Sequence, residues 1–366
     1  MILVYRFRVK SKNGLLDLQA RKVNFVWNYC NDRQKDALRF ERPWLSGFDL
    51  NKLTTGSSKE LELHSGVINA VCEQFAKSRA QHRRPYLRFR GRKSLGWIPF
   101  KGRDLHREGN AFRFAGNTFR VFYSRPLPEG KIKDGSCFAQ DELRSNSGPV
   151  KSFASRGNWF LNIVIEVAEP PVRPLDHGVG IDLGLRDLAT PSEGEKIPAP
   201  GFYREAEAAL AVAQRAHKRR SIKAIQARTA RRRLDFLHNR SVELARAFDH
   251  IAVGNVNASG LAQTSLAKSV LDAGWSSFRK MLAYKAMRHG ARYVEVDERF
   301  TTQTCSNCGT PSHIRAPRRG PRGIAGLGIR EWECSECGVV HDRDRNAALN
   351  ILRRGRATLE AGIPVL

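Results

Sequence analysis

Residues 334–352, CSECGVVHDRDRNAALNIL, place a pair of cysteines directly before two acidic residues and an amphipathic stretch. Cys334 and Cys337 have the two-residue spacing of half a metal-binding knuckle. Asp342 and Asp344 follow at the start of a segment whose apolar residues recur with helical spacing. Acidic residues in a first helical turn can simply complement the helix dipole. The stretch therefore predicts either an acidic site joined to a metal knuckle or a plain capped helix.

Four of the seven cysteines form a regular pattern in the C-terminal part of the chain. They are two C-x2-C pairs separated by 25 residues, namely Cys305, Cys308, Cys334 and Cys337. Two such pairs deliver four thiolates to one tetrahedral zinc ion, and an all-thiolate site leaves no open position for catalysis. We therefore predict one structural zinc ion. Cys30, Cys72 and Cys137 are scattered, and we expect them to be small buried hydrophobic residues.

The charge balance restricts the kind of partner. The 366 residues include 63 Lys and Arg against 36 Asp and Glu, a formal net charge of +27 that is spread along the chain. Such a surface repels itself unless polyanions neutralise it, which makes nucleic acid the expected partner. The length allows two or three domains with cores of their own. Because no apolar run approaches the roughly 20 residues that span a bilayer, and the N-terminus lacks a signal-peptide core, we expect a soluble, intracellular protein.

The N-terminal half combines strands and helices. Residues 2–9 alternate like a strand, and residues 15–40 and 66–80 show helical patterns. Short β-rich pieces separated by Gly, Pro and Asn turns follow, and they predict a small barrel that includes the first strand. The proline-rich residues 168–178 mark a boundary before the second half.

Residues 83–103 interleave aromatic and basic side chains. Aromatic rings can stack on bases while guanidinium groups bind phosphates, a combination typical of nucleic-acid surfaces. The alternative is an exposed strand whose aromatic side chains point into a core. Further basic runs lie at residues 216–234 and, between the cysteine pairs, at residues 311–330. The candidate nucleic-acid residues are Arg83, Arg84, Tyr86, Arg88, Phe89, Arg90, Lys218, Arg219, Arg220, Arg318 and Arg319.

Asp182 lies in GIDLG, between apolar residues of a predicted buried strand. A buried carboxylate is costly unless it is paired or binds a metal. Strand patterns here alternate with helical ones, which predicts a mixed α/β sheet. If that sheet brings Asp182 next to Asp344, two hard oxygen ligands face one another and suit Mg²⁺.

Four motifs in chain order resemble the C-terminal half of the TnpB family of transposon-encoded RNA-guided nucleases, relatives of the compact type V CRISPR effectors. They are GIDLGLRDLAT, TTQTCSNCG, CSECG and DRDRNAALNIL. A weaker resemblance runs through YRFRVK, VWNYCNDR, RRPYLRFRGR and GNWFLNIVIEV, so that it covers nearly all of the chain. Its specificity lies in the combination, in which zinc knuckles interrupt a RuvC-like set of acids.

The resemblance implies a multidomain fold of the α+β and α/β classes. An N-terminal wedge-like β-barrel would contain an inserted helical recognition lobe, and an RNase H-like RuvC domain would carry an inserted four-cysteine zinc ribbon. The implied segments are the barrel at 1–12 and 83–172, the lobe at 13–82, the RuvC-like domain at 176–300 and 341–355, the ribbon at 301–340 and a tail at 356–366.

The resemblance also implies an RNA-guided DNA endonuclease of the prokaryotic cytoplasm. Two Mg²⁺ ions roughly 4 Å apart would serve phosphodiester hydrolysis. Asp344, the acid of the D-x-N-A-A pattern, would be a metal ligand, whereas Asp342 would support the site or cap the helix. Arg343 and Arg345 would meet phosphate or RNA. A bound guide RNA would select double-stranded DNA by base pairing, next to a short flanking motif that the protein reads.

The chain departs from the family at the second acid. The family places a glutamate near the end of the strand that matches HIAVGNVN, where this chain has Gly254 and Asn255. We expect that strand and RYVEVDE to be parallel neighbours about 4.8 Å apart, so that a carboxylate at the exit of the second could reach the vacant position. Side-chain alternation makes Glu298 the first candidate and Glu295 the reserve.

Three other functions stay open from the sequence. Without its second acid the protein would be nuclease-inactive and would bind DNA under RNA guidance, as a repressor does. It could also be a compact type V CRISPR effector instead of a transposon protein. The third alternative is a zinc-stabilised RNA-binding protein with no DNA target. The sequence leaves the oligomeric state open.

Overall fold

The protein forms two compact units, Met1–Ala168 and Glu169–Leu366, in a computed structural model. The described residues are 1–91, 94, 96–140, 158–311 and 329–361. The candidate residues Arg318 and Arg319 lie outside them. None of the described helices has both the length and the apolar character needed to cross a membrane.

The first unit contains a seven-stranded sheet in which all neighbouring strands are antiparallel. Its strands are β1 (Ile2–Val9), β2 (Trp97–Lys101), β3 (Leu105–Glu108), β4 (Ala111–Phe114), β5 (Asn117–Phe122), β6 (Lys131–Gln140) and β7 (Asn158–Glu166). They are ordered β2-β6-β7-β1-β5-β4-β3 across the sheet. The alternation predicted for the first strand is present, because Tyr5, Phe7 and Val9 are buried while their neighbours face outward.

The closed barrel predicted from the sequence is wrong, because β2 and β3 are free edges among the described strands. The two strands are consecutive in the chain and are joined by Gly102–Asp104, a single 3-10 turn. A connection of this length reaches at most about 14 Å, so the sheet has to curl until its edges approach. Gly102 packs tightly against the backbone of β6 at Ile132, and β3 leaves the turn to pair with β4. The result is a curled, open sheet.

Four helices accompany this sheet. They are α1 (Asn13–Arg39), α2 (Gly47–Leu53), α3 (Ser57–Glu60) and α4 (Ser65–Gln81). The two long helices, α1 and α4, lie where helical periodicity predicted them. Their buried faces share one core with the sheet, in which Trp27 packs edge-on against Phe75 with ring centroids 5.2 Å apart. The division of this unit into a wedge-like part, now an open sheet, and a recognition lobe stays a prediction.

The second unit contains a five-stranded sheet, a two-stranded ribbon and six helices among its described residues. The strands are β8 (Gly178–Leu183), β9 (Asp187–Pro191), β10 (Ile197–Pro198), β11 (His250–Gly254), β12 (Arg292–Val296), β13 (Glu331–Glu333) and β14 (Val340–Asp342). The helices are α5 (Phe202–Arg215), α6 (Arg219–Ala247), α7 (Ala258–Leu261), α8 (Ala267–Ala273), α9 (Trp275–Arg288) and α10 (Arg343–Glu360). The order of the larger sheet is β10-β9-β8-β11-β12.

Strands β8, β11 and β12 are parallel neighbours. In the register of the sheet, Ala252 of β11 lies beside Gly180 of β8 and Val294 of β12. The carboxyl ends of parallel strands open on one edge, where ligands commonly bind. The prediction that β11 and β12 run side by side and parallel is confirmed.

Helix α10 crosses one face of this sheet at very short range. A side chain at Gly180 would collide with the backbone of α10 at Ala348 and Leu352, and a side chain at Gly355 would collide with Ala252. These two glycines therefore allow the backbone of the helix to lie directly on the strands. The alternate residues of β8 and β11 pack on the other face with α6 and α9.

Strands β13 and β14 form a small antiparallel ribbon in which Trp332 lies opposite His341. Strand β14 ends at Asp342, and α10 begins at the next residue. The ribbon and the helix are therefore continuous, with no linker between them.

Candidate functional site

The four cysteines predicted to bind zinc converge. The sulfur atoms of Cys305, Cys308, Cys334 and Cys337 all lie within 4.8 Å of one another. Two of the sulfur–sulfur distances are 3.6 Å, between Cys305 and Cys337, and 3.7 Å, between Cys308 and Cys334. The edges of a zinc tetrahedron with bonds of about 2.3 Å are about 3.8 Å long. The cluster thus has the size of a four-thiolate metal site.

The two cysteine pairs have the same local backbone. In each pair the N–H group of a glycine donates to the carbonyl of the first cysteine at 2.9 Å, from Gly309 to Cys305 and from Gly338 to Cys334. Both glycines have positive φ angles, 78° and 68°, which a residue with a side chain adopts only at a cost. Hydrogen bonds from Thr310 also lower the pKa of Cys308 to about 6, which favours the thiolate that a metal requires.

His341 joins this cluster from the ribbon. Its Nε2 atom lies 3.0 Å from the sulfur of Cys305, and the ring is buried against Trp332 with centroids 4.8 Å apart. A ring N–H that donates to a metal-bound thiolate fixes the orientation of the ligand.

A second cluster, of acids, lies at the carboxyl edge of the parallel strands. Asp182 is near the end of β8, and the residue keeps partial exposure. Burial of its carboxyl group, together with the negative charges of Asp344 and Glu298, raises the pKa of Asp182 from its ordinary 3.8 to about 8. The structure therefore brings Asp344 and Glu298 within electrostatic range of Asp182.

Asp344 and Asp342 have different surroundings. Asp344 lies in the first turn of α10, and Arg330 donates to its Oδ2 at 3.3 Å. Asp342 caps α10, because its Oδ1 accepts from the N–H of Arg345 at 2.8 Å, and it also pairs with Lys196 at 2.7 Å. Capping was one of the two roles predicted for Asp342.

Glu298 fills the position that Gly254 leaves open. A Cβ atom added at Gly254 would lie 2.9 Å from Oε2 of Glu298 and 3.2 Å from Cδ1 of Ile351. Oδ1 of Asn255 accepts from the N–H of Glu298 at 3.3 Å. The two residues found in place of the family glutamate thus give Glu298 space and hold its backbone.

The reserve candidate, Glu295, is turned to the other face of the sheet. Its carboxylate accepts from the hydroxyl of Tyr293 at 2.8 Å and from the guanidinium of Arg279 on α9 at 3.0 Å. The structure does not bring Glu295 to the acid cluster.

The three acids form a wider site than the cysteines. Among the described residues, the four cysteines are the only group of three or more metal-ligating side chains whose ligand atoms all lie within 4.8 Å of one another. Carboxylate oxygens are the donors that Mg²⁺ prefers. A divalent cation would also relieve the like-charge repulsion that raises the pKa of Asp182. Asp182, Glu298 and Asp344 therefore fit a magnesium site in donor chemistry and in charge.

Two arginines beside the acids are engaged with the backbone. Arg343 donates to the carbonyl of Ile329 at 3.3 Å, and Arg345 donates to the carbonyl of Gly194 at 2.7 Å. Arg345 uses only part of its guanidinium group in this bond.

The basic segment of the first unit is fixed to α1 by two asparagines. Asn31 donates to the carbonyl of Leu87 at 2.6 Å and accepts from its N–H at 2.9 Å. Asn28 makes the same pair of bonds with Arg90, at 3.0 and 2.8 Å. The side-chain amides thus replace the neighbouring strand that an extended segment would otherwise need.

Arg90 differs from the other candidate nucleic-acid residues because its guanidinium group packs between two tryptophan rings. Its guanidinium carbon lies 3.6 Å from the ring centroid of Trp27 and 5.0 Å from that of Trp97. Burial lowers the pKa of Arg90 to about 10. The surroundings of Arg90 are those of a packing residue.

The remaining described candidates are exposed. Arg83, Arg84 and Arg88 face solvent, as do Lys218, Arg219 and Arg220 at the start of α6. The rings of Tyr86 and Phe89 are also exposed, and the ammonium of Lys35 lies 5.5 and 4.4 Å from their centroids. Tyr86 and Phe89 therefore do not point into a core. Later in the same segment, Phe100 is buried in the core of the first unit and Trp97 packs against that core, as the alternative interpretation expected.

Two family models match parts of the chain between residues 162 and 351. A model described as "Probable transposase" matches residues 162–265, and a model described as "Cas12f1-like, TNB domain" matches residues 275–351. The second match contains the four cysteines, Glu298 and Asp344.

Curated proteins of two bacteria are similar to the chain. A "Putative RNA-guided DNA endonuclease" of Streptomyces pristinaespiralis is 35% identical over 256 residues, covering 66% of this chain and 58% of the relative. The "Putative RNA-guided DNA endonuclease InsQ" of Escherichia coli (strain K12) is 28% identical over 251 residues, covering 60% of each chain. This chain thus spans about three fifths of the length of these relatives.

The fold is similar to that of a solved structure. It is the protein of the "Cryo-EM structure of the Cas12f1-sgRNA-target DNA complex", which matches 92% of this chain and 81% of its own with a TM-score of 0.53. Because the sequence identity is 12%, the likeness concerns the fold alone.

Sequence reasoning missed several polar residues of the site. Arg330 pairs with Asp344 and Lys196 pairs with Asp342, and in each pair the partners are distant in sequence. Asn346 and Asn350 are buried on α10. Their spacing of four residues in an otherwise apolar helix face was a signal that could have found them.

The raised pKa of Asp182 predicts an unusual dependence of stability on pH. Between about pH 4 and about pH 8 the folded protein holds a proton that the unfolded chain releases, so the free energy of unfolding falls as the pH rises. In buffer without added magnesium, Asp182→Asn should therefore melt at a higher temperature than the parent at about pH 8. The difference should shrink at about pH 5, where the parent carboxyl is neutral.

The matched control is Asp235→Asn, on the exposed face of α6. Its melting temperature should follow that of the parent at both pH values in differential scanning calorimetry. A parent and an Asp182→Asn variant that melt together at both pH values would show that neither burial nor the neighbouring acids raise the pKa of Asp182.

Proposed function

We propose that this chain belongs to the TnpB family and that it is an RNA-guided DNA endonuclease that cleaves DNA next to a short flanking motif. The observation that carries the proposal is the convergence of Asp182, Asp344 and Glu298 at the carboxyl edge of the parallel strands. The curated relatives are named as RNA-guided DNA endonucleases, and we extend that activity to this chain as part of the proposal. We expect it to act in a prokaryotic cytoplasm.

Asp182, Glu298 and Asp344 would hold magnesium. The chemistry that two Mg²⁺ ions supply when bound is activation of an attacking water and stabilisation of the leaving oxygen. Asp182 supports this role because the negative charges of Asp344 and Glu298 act on its carboxyl group. Arg330, which donates to Asp344, would place a second positive charge beside a phosphate bound there. Arg343 and Arg345 would orient the same strand.

The four cysteines would hold one structural zinc ion. Four thiolates complete a tetrahedron, so the site has no position for a substrate. Because β14 continues directly into α10, a fixed ribbon would fix the first turn of the helix that carries Asp344. The residues assigned to the zinc ribbon and to the RuvC-like domain would thus work as one assembly.

The first unit would bind guide RNA and the flanking duplex. Its support is the exposed set of Arg83, Arg84 and Arg88 beside the rings of Tyr86 and Phe89. Base pairing between guide and target would select the sequence, and the net charge of +27 suits such polyanionic cargo. We assign residues 13–82 to the recognition lobe and residues 83–172, with 1–12, to the wedge-like part.

The second candidate function is RNA-guided DNA binding without cleavage. Gly254 favours it, because the glutamate of the family is absent from that strand. Both functions require RNA and matching DNA. They differ in whether the ribonucleoprotein, prepared with the RNA that co-purifies with it, cuts the bound DNA when Mg²⁺ is added.

Zinc binding predicts one metal ion per chain in protein purified without chelator. Mass-spectrometric metal analysis should return one zinc for the parent and much less for Cys337→Ser, because three thiolates bind zinc more weakly than four. Cys137→Ala, a buried cysteine of the first unit, should retain the full zinc content. A parent protein with much less than one zinc per chain contradicts the assignment.

Arg88 and Arg90 should respond differently to substitution. Arg88→Ala should weaken RNA binding and reduce the slope of log K against log salt by about 1, because one phosphate contact is lost. Its melting temperature should stay that of the parent. Arg90→Ala should instead lower the melting temperature, since a cation between two aromatic rings contributes about 1 kcal/mol or more. If Arg88→Ala leaves both RNA affinity and salt slope unchanged, this segment is not an RNA contact.

Glu298→Gln should abolish cutting of matching DNA while DNA binding persists, because the charge is removed and the shape is kept. We expect a loss of about 100-fold or more, since even hydrogen-bond partners of metal ligands are worth 10- to 100-fold. Asp182→Ala should have the same effect. Glu295→Gln is the matched control and should cut within a few-fold of the parent.

A swap then tests the position directly. Because a Cβ atom at residue 254 would lie 2.9 Å from the carboxylate of Glu298, a glutamate there would reach the same space. Gly254→Glu should therefore restore part of the cutting that Glu298→Ala removes. If Glu298→Gln cuts as fast as the parent while Asp182→Ala does not cut, Glu298 is not the third acid. A parent that binds matching DNA and never cuts it would establish the second candidate function.

A further inference from the structure

Two buried asparagines of α10 form hydrogen bonds with the segment that leads into the first cysteine pair. The amide of Asn346 donates to the carbonyls of Thr301 and Thr304 at 3.0 and 2.8 Å. The amide of Asn350 donates to the same two carbonyls at 2.9 and 2.6 Å. We call these four residues the asparagine clamp. Each carbonyl thus receives one donor from each asparagine.

The asparagine clamp is linked to both metal clusters. On one side, the N–H and the hydroxyl of Thr301 donate to the carbonyl of Glu298 at 3.2 and 2.7 Å. On the other side, Oδ1 of Asn346 accepts from the N–H of Ser306 at 2.8 Å, one residue after Cys305. A continuous set of hydrogen bonds therefore runs from the third acid to the first cysteine.

The same helix carries the second acid. Asp344 precedes Asn346 by two residues on α10. If the helix moved relative to Thr301 and Thr304, the separation of Asp344 and Glu298 would therefore change. Asn346 and Asn350 are almost fully buried, with exposed fractions of 1% and 4%. Loss of their donors would leave buried carbonyls unpaired, a condition that the chain can relieve only by moving.

We infer that Asn346 and Asn350 are positioning residues that set the separation of Glu298 and Asp344, and that through them the metal at the four cysteines controls the affinity of the acids for a divalent cation. The inference rests on the proposed function, because it takes the three acids as a cation site. It adds a regulatory link, in which zinc occupancy and cation binding strengthen each other by the same factor.

The test is binding of Mn²⁺ alone, the probe for the acid site, to the full chain with its zinc content verified. Electron paramagnetic resonance reports free Mn²⁺ and requires no cleavage. Asn350→Leu should raise the Kd for Mn²⁺ by about 10-fold, the loss expected when a supporting hydrogen bond of a metal site is removed. Thr301→Val, which keeps its shape and carbonyl and loses the hydroxyl bond to Glu298, should raise it by a smaller factor.

The matched control is Val270→Ala, a buried substitution on α8 outside the asparagine clamp. It should lower the melting temperature and leave the Kd for Mn²⁺ within about twofold of the parent, since additivity holds for sites without shared partners. If Asn350→Leu binds Mn²⁺ as the parent does, the clamp only docks the helix and the inference is overturned. Should Asn350→Leu not fold, Thr301→Val decides in the same way.

The regulatory link has its own measurement. Cys308→Ser, which depletes the zinc, should also weaken Mn²⁺ binding, and its effect should shrink when Asn350→Leu is already present. Fold-changes that simply multiply in the double variant would exclude the link, because independent sites add in free energy.

Two further variants separate this inference from the proposed function. If Asp182→Ala and Glu298→Gln bind Mn²⁺ as the parent does, the acids are not the cation site and both proposals fall. If those variants lose Mn²⁺ and Asn350→Leu does not, the asparagine clamp alone is wrong.

Discussion

The direct contact between the backbone of α10 and strands β8 and β11 sets the geometry of the second unit. Gly180 and Gly355 make it possible, because a side chain at either position would collide with the opposite element. Once the helix lies this close, its first turn reaches the carboxyl edge of the parallel strands. Asp344 then comes within electrostatic range of Asp182, and the positive end of the helix dipole partly offsets the assembled charge.

The acid site is a group of negative charges on a chain whose net charge is positive. A net charge of +27 attracts phosphates over the whole surface, whereas the acids repel them unless a cation intervenes. Lys196 and Arg343 lower the pKa of Asp182, but burial and the two neighbouring acids outweigh them and raise it to about 8. A divalent cation held by these acids would offset their like charges.

The opening motif combines the two functions that its sequence left as alternatives. Within four residues, His341 contacts the sulfur of Cys305, Asp342 caps the helix, and Asp344 joins the acids. A flexible linker at this point would let the ribbon and the acids move independently. Continuity of β14 with α10 removes that freedom, and the buried Asn346 ties the helix back to the chain before Cys305.

The sequence by itself determined what repeats locally or is set by spacing: the helices α1 and α4, the parallel pair β11 and β12, and the convergence of four cysteines. It also placed Asp182 near the end of a strand and Glu298 just after one, since alternation along a strand predicts which face each residue takes. Tertiary structure decided the rest. Three features depend on which distant elements meet. They are the open edges of the first sheet, the pairing of Glu295 with Arg279, and the packing of Arg90 between Trp27 and Trp97. Such contacts leave no period in the sequence, because they are fixed by packing between segments far apart in the chain.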